Sequence, residues 1–224
     1  MNPIIPRVKI CCIKSIEEAW LAIRQGASAL GLVSEMPSGP GVISEEVIAE
    51  ITANVPPGVA TFLLTSKQDA EAIIAQQRCC RVNTLQLVDR LEHGSYDDLR
   101  SALPGIKIVQ VIHVTGEESV AEAEAVAPHV DAILLDSGNP ALKVKELGGT
   151  GRTHDWSLSK TIRERIPIPL YLAGGLNSEN VGEAIRQVGP FGLDICNGVR
   201  TDGQLDKSKL AAFFAAIRSY SSAS

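Results

Sequence analysis

The sequence predicts an α/β fold: a single (β/α)8 barrel with residues 1–224 as one domain. Two observations carry this. Short aliphatic and β-branched runs alternate eight times with amphipathic stretches, and eight βα units over 224 residues fit a closed barrel better than an open sheet. No linker or shift in composition divides the chain.

The first run is 8–13. Ser15 offers an N-cap to the helix that follows, Glu17 and Glu18 place carboxylates where the helix dipole favours them, and Gly26 can end the helix. Between these, Ala19, Ala22 and Ile23 recur at helical spacing. The second run is 29–33, with a helix over about 44–54 capped by Ser44; a capping box would want Glu at the position of Val47. Strands are then expected at 59–64, 82–88, 106–114 and 132–136, with helices at 68–77, 95–102 and 117–127. A long glycine-containing loop spans 137 to about 153. Helix 157–165, strand 169–173, helix 178–188, strand 192–196 and helix 206–220 complete the eight units, with Phe213 and Phe214 expected to close the core.

Composition narrows the class. Hydrophobic residues make up 45% and charged residues 21%, which excludes a disordered chain, and a net charge of -5 argues against a surface that coats nucleic acid. Nineteen glycines and twelve prolines suggest short turns rather than a long helical bundle. The start, MNPIIPRVKICC, lacks the layout of a secretion signal, and no apolar run reaches the roughly 18–20 residues of a membrane span. Five cysteines, an odd number without C-x-x-C, read as free thiols of a cytoplasmic chain with no membrane partner. The oligomeric state is open.

In such a barrel the chemistry sits at the C-terminal ends of the strands. Lys9 and Cys11, two apart, share a face, and an ammonium beside a thiol favours the thiolate; a small buried hydrophobe is the alternative. Cys12 is expected on the other face, toward the helices. Asp136 closes an apolar run, where it either caps the next segment or projects into the barrel mouth as a general acid. Gly149 and Gly151 in the long loop, Gly174 and Gly175 after the seventh strand, and Asn197 and Gly198 after the eighth permit close backbone approach and point to a phosphorylated small-molecule ligand. The adjacent Cys79 and Cys80 read as a loop pair after a helix. The histidines at 93, 113, 129 and 154 are scattered, so no metal site is expected.

Taken in order, Val8-Lys9-Ile10-Cys11, 26–33, Leu85-Gln86-Leu87, Leu134-Leu135-Asp136-Ser137, Gly148-Gly149-Thr150-Gly151 with Asp155-Trp156, Leu172-Ala173-Gly174-Gly175-Leu176, Glu179-Asn180-Val181 and Asp194 with Gly198-Val199 form one set. Through it the sequence resembles the phosphoribosylanthranilate isomerase family of tryptophan biosynthesis over nearly its whole length. The resemblance implies an Amadori rearrangement, aminoaldose to aminoketose, that needs no cofactor. It implies Cys11 as the base that takes the C2 proton and Asp136 as the acid that protonates the ring oxygen. It implies a phosphate held by backbone around Gly174, Gly175, Asn197 and Gly198.

The chain departs from the family on the amine side. The family has Gly after its catalytic Cys, where this chain has Cys12. The family's Ser-Pro-Arg after the second strand becomes Pro37-Ser38-Gly39-Pro40-Gly41, its His-Gly after the fourth becomes Val88-Asp89, and its Ser-Gly-Val-Glu after the eighth becomes Asn197-Gly198-Val199-Arg200. A missing Arg leaves an anthranilate carboxylate without a charge-assisted partner, worth about 1.5–3 kcal/mol. Arg152 and Arg200 are the candidate replacement cations, with a solvated surface charge as the alternative for each, and Lys9 is a further candidate substrate cation. Weaker activity on anthranilate, or a different amine on the same phosphosugar, follows as an expectation. A binder of phosphorylated ligands without catalysis is the reading from another class, and Cys11 and Asp136 at strand ends speak against it.

Overall fold

Strands as apolar as Ala29–Val33 and Ala132–Asp136, buried at every position, need cover on both faces. The chain supplies it by curling one sheet on itself inside a ring of helices. The computed structural model describes residues 5–138 and 153–223. Eight parallel strands close in chain order: β1 (Arg7–Ile10), β2 (Ala29–Val33), β3 (Ala60–Thr65), β4 (Thr84–Leu87), β5 (Lys107–His113), β6 (Ala132–Asp136), β7 (Leu170–Leu172) and β8 (Gly192–Ile195). Pairing of β8 with β1 seals the barrel and sets Lys9 beside Asp194. The outer helices are α1 (Ile16–Gln25), α2 (Glu45–Ala53), α3 (Ala70–Cys80), α4 (Tyr96–Ala102), α5 (Glu118–Val126), α6 (Trp156–Arg165), α7 (Val181–Val188) and α8 (Lys207–Ala223). Among the described residues, no helix is long and apolar enough to cross a membrane.

Local chemistry sets the helix ends. The Ser15 hydroxyl accepts from the Glu18 N–H, and Gly26 ends α1 at φ 112, which glycine alone adopts without strain. Ser44 caps α2 despite lacking Glu at the third position. Ser95 and Asp98 cap α4 reciprocally, a pairing the sequence reading passed over.

Period-two alternation splits the apolar residues into two groups. One, including Leu30, Leu32, Leu63, Ile133, Leu135, Phe213 and Phe214, lies between strands and helices. The other, including Ala29, Phe62, Val109, Ala132, Leu134 and Tyr171, fills the barrel interior. Two glycines make room there. A Cβ on Gly192 would lie 2.4 Å from the Tyr171 ring, and one on Gly31 would lie 2.8 Å from Cys11 Sγ and 3.0 Å from Lys9 Nζ.

The eight βα units stand as expected, with ends shifted by a few residues. Two expectations are corrected, and one element is added. Cys79 and Cys80 form the last turn of α3 instead of a loop, because Arg81 takes the left-handed capping position at φ 57; Cys79 is exposed and Cys80 buried. Strand β1 stops at Ile10, so alternation no longer governs Cys12; at φ 62 its side chain turns into the barrel mouth rather than toward the helices. A short antiparallel ribbon, β9 (Arg200–Thr201) and β10 (Gln204–Leu205), follows the eighth strand unannounced by the sequence pattern.

Gly31→Ala is expected to destabilise the chain by about 1–3 kcal/mol through overpacking, read as a Tm lower by roughly 2–10 °C. Gly182→Ala in α7, where the new Cβ meets only Tyr220 at 3.9 Å, is the contrasting case. Helix propensity alone should stabilise it by about 0.5–1 kcal/mol. Thermal melts showing no difference between the two variants would contradict the close packing assigned to Gly31.

Candidate active site

Lys9 is fully buried inside the barrel, and its Nζ donates to Asp194 Oδ2 at 2.9 Å. The ammonium also lies 5.3 Å from the centroid of Phe62. Burial works against the charge on Lys9, but the adjacent Asp194 carboxylate outweighs it and lifts Lys9 above the usual lysine range. One residue pair further along β1, Cys11 is buried at the strand end.

Above this ion pair a cavity of about 300 Å³ opens at the C-terminal strand ends. Cys11 from β1 and Asp136 from β6 both line it. Asp136 Oδ1 accepts from the Ser137 N–H at 2.7 Å. Burial pushes the Asp136 carboxyl above the usual carboxylate range, against the pull of the Ser137 N–H and His113. A carboxyl that holds its proton more tightly is a better donor near neutrality. His113 is occupied with the Val88 carbonyl, at 3.0 Å from its Nε2.

The turns after β7 and β8 form another wall. Gly174 and Gly175 take φ 83 and 61, and Asn197–Val199 make a single 3-10 turn. The two turns interlock: a Cβ on Gly198 would stand 2.1 Å from the Leu176 carbonyl oxygen. All four of Gly174, Gly175, Asn197 and Gly198 line the cavity. Gly149, Gly151 and Arg152 lie outside the described residues.

The two described candidate cations are engaged elsewhere. Lys9 is held by Asp194. Arg200 is buried beside the first turn: it donates to Glu18 at 2.9 Å and 3.1 Å and to the carbonyl oxygens of Cys11 and Cys12 at 3.2 Å and 2.6 Å. Glu18 in turn accepts from the N–H groups of Lys14 and Leu205. The Glu18–Arg200 pair thus fastens the turn that carries both cysteines to the β9–β10 ribbon.

Two side chains of the site were not singled out as site residues by the sequence reading. Gln86 from β4 and Asp194 from β8 line the cavity, and Gln86 Oε1 and Asp194 Oδ1 are buried acceptors without a protein partner. An inward polar residue on an otherwise apolar strand was their signal. Cys12 and Cys196 line the same wall, with their sulfurs 2.7 Å apart. Cys12 holds a left-handed conformation at φ 62 that costs a residue with a Cβ about 1–2 kcal/mol.

Comparison with known proteins accords with this geometry. The family model for N-(5'-phosphoribosyl)anthranilate (PRA) isomerase matches residues 8–216. N-(5'-phosphoribosyl)anthranilate isomerase 2 of Methanosarcina mazei is 36% identical over 209 residues, covering 92% of each chain. The isomerase of Thermosynechococcus vestitus is 36% identical over 221 residues, covering 95% of this chain and 91% of its own. Among solved structures, phosphoribosyl anthranilate isomerase from Thermotoga maritima superposes with a TM-score of 0.79 at 31% identity, covering 96% of this chain and 99% of that one. A phosphoribosyl anthranilate isomerase in complex with reduced 1-(o-carboxyphenylamino)-1-deoxyribulose 5-phosphate superposes at 0.77 with 29% identity, covering 96% and 99%.

The buried ion pair makes a separable prediction. Lys9→Met leaves the Asp194 carboxylate without its cation, which should cost about 3–5 kcal/mol. Lys9→Met combined with Asp194→Leu should recover most of that loss, because the desolvation of both charges is relieved together. Urea unfolding of the three proteins checks this; equal losses in the single and double variants would show that the pair is not coupled.

Proposed function

Because the chain belongs to the N-(5'-phosphoribosyl)anthranilate isomerase family, we propose that Cys11 and Asp136 are the base and acid of an Amadori rearrangement on N-(5'-phosphoribosyl)anthranilate. The family reaction converts an aminoaldose to an aminoketose in tryptophan biosynthesis, an intramolecular oxidation and reduction. The observation that carries the assignment of roles is that these two groups line one cavity from different strands.

Asp136 gives its proton to the ring oxygen of the furanose, and the C1–O bond breaks as nitrogen donates its lone pair to form a Schiff base. Its burial, which holds the proton on, suits it to this step. The Cys11 thiolate then removes the proton from C2, and the resulting enaminol tautomerises to the ketone. The substrate's phosphate sits against the turns at Gly174–Gly175 and Asn197–Gly198, whose glycines let the backbone approach an anion closely. Gln86 and Asp194 add polar side chains to the lining of the cavity that takes the sugar. A biosynthetic reaction of this kind belongs in the cytoplasm, where thiols stay reduced. The amine-side cations of the described chain are committed to Asp194 and Glu18, so no described Arg or Lys lines the cavity to meet the anthranilate carboxylate.

Cys11→Ser keeps the shape but replaces the thiol with a hydroxyl that does not ionise near neutrality; Asp136→Asn keeps the shape and removes the transferable proton. Each should lower kcat on N-(5'-phosphoribosyl)anthranilate by about 10²–10⁴-fold, while inorganic phosphate still competes with substrate. The wild-type gene should restore growth without tryptophan to a strain lacking this isomerase, and either variant should not. Near-wild-type kcat in a folded variant would overturn the assignment.

A further inference from the structure

Two thiols of the cavity wall have no part in the proton transfers. Cys12 follows the first strand and Cys196 follows the eighth, so they face each other across the seam where the barrel closes. Their sulfurs are 2.7 Å apart, and no other residue stands between them. Cys12 is held there at φ 62, in a conformation that glycine adopts freely and a residue with a Cβ does not. A strained residue kept at a site points to a use for its side chain.

We propose that Cys12 and Cys196 are a redox modification site, which a hydroperoxide converts into a disulfide that clasps the barrel seam. The inference goes beyond the isomerase reading and does not depend on it. The two thiols are unequal. Cys196 is partly exposed, and its contact with Cys12 together with the Arg200 guanidinium lowers it below the usual thiol range, against burial. Cys12, in contact with the Cys11 and Cys196 sulfurs and buried, is pushed up.

Cys196, the more exposed of the two, is the thiol that a hydroperoxide reaches first. Its thiolate attacks one oxygen of the hydroperoxide: an S–O bond forms, the O–O bond breaks, and the alcohol leaves after taking a proton. The Cys12 sulfur then attacks the sulfenic sulfur; the S–S bond forms, the S–O bond breaks, and hydroxide leaves as water with the Cys12 proton. Two thiols are oxidised to one disulfide, and the hydroperoxide is reduced to an alcohol and water. The new bond joins residues 184 apart in sequence, so it removes freedom from nearly the whole unfolded chain.

The test treats the whole chain with stoichiometric hydrogen peroxide, alkylates the remaining thiols and maps them by mass spectrometry. The expected result is a linked peptide pair containing Cys12 and Cys196, lighter by two hydrogens, with Cys11 still alkylated. The oxidised chain should melt about 5–15 °C higher, the size expected for a cross-link closing a long loop, and dithiothreitol should reverse the gain. Cys12→Gly, which folds readily at a left-handed position, and Cys196→Ser should each abolish both the link and the shift. Linkage through Cys11, free Cys12 and Cys196 after peroxide is consumed, or a link without a rise in Tm would overturn the proposal.

Discussion

The ion pair between Lys9 and Asp194 is the constraint around which the barrel interior is arranged. Two charges lie where apolar side chains would ordinarily fill the space, at the point where the last strand pairs with the first. Such a pair recovers its desolvation only with close geometry, here a 2.9 Å contact aided by the Phe62 ring. It also demands space, which Gly31 provides by having no side chain. The result is a buried ionic floor beneath a mouth of mixed polar and apolar lining. Asp194 binds Lys9 through Oδ2, while its buried Oδ1 has no protein partner.

A second ion pair carries this order outward. Glu18 is at once part of the first turn of α1, an acceptor for the backbone after β1 and the partner of Arg200. Arg200 reaches back to the carbonyls of Cys11 and Cys12. A residue that a linear reading offers as a substrate cation thus positions the proposed base. Arg200 is buried and paired with Glu18 of α1, and it does not line the cavity.

What the sequence made legible followed from periodicity. Alternating runs declared eight βα units, Ser15 and Gly26 declared the ends of α1, and the position of Asp136 at the close of β6 put it at the mouth. The same rule failed where the strand stopped. Cys12 lies two residues beyond β1, and nothing local announces a positive φ on a residue other than glycine, so its side chain was assigned to the wrong face. The Lys9–Asp194, Arg200–Glu18 and Cys12–Cys196 contacts join residues more than 180 positions apart. Only barrel closure brings them together, and no pattern within a window can show it. Gln86 was quoted among the residues of the resemblance, but its unpartnered oxygen becomes meaningful only once β4 is placed around the cavity.

The central claim is that a buried Asp136 opens the sugar ring for a base on another strand of the same cavity. The most direct measurement is the pH dependence of kcat/KM on N-(5'-phosphoribosyl)anthranilate for the wild type and Asp136→Asn. The acid must carry its proton to act, and burial moves its loss to higher pH. The wild-type rate should therefore fall on the alkaline side, and in Asp136→Asn the residual rate should lack that fall. An unchanged alkaline fall in the variant would contradict the account and move the acid to another residue.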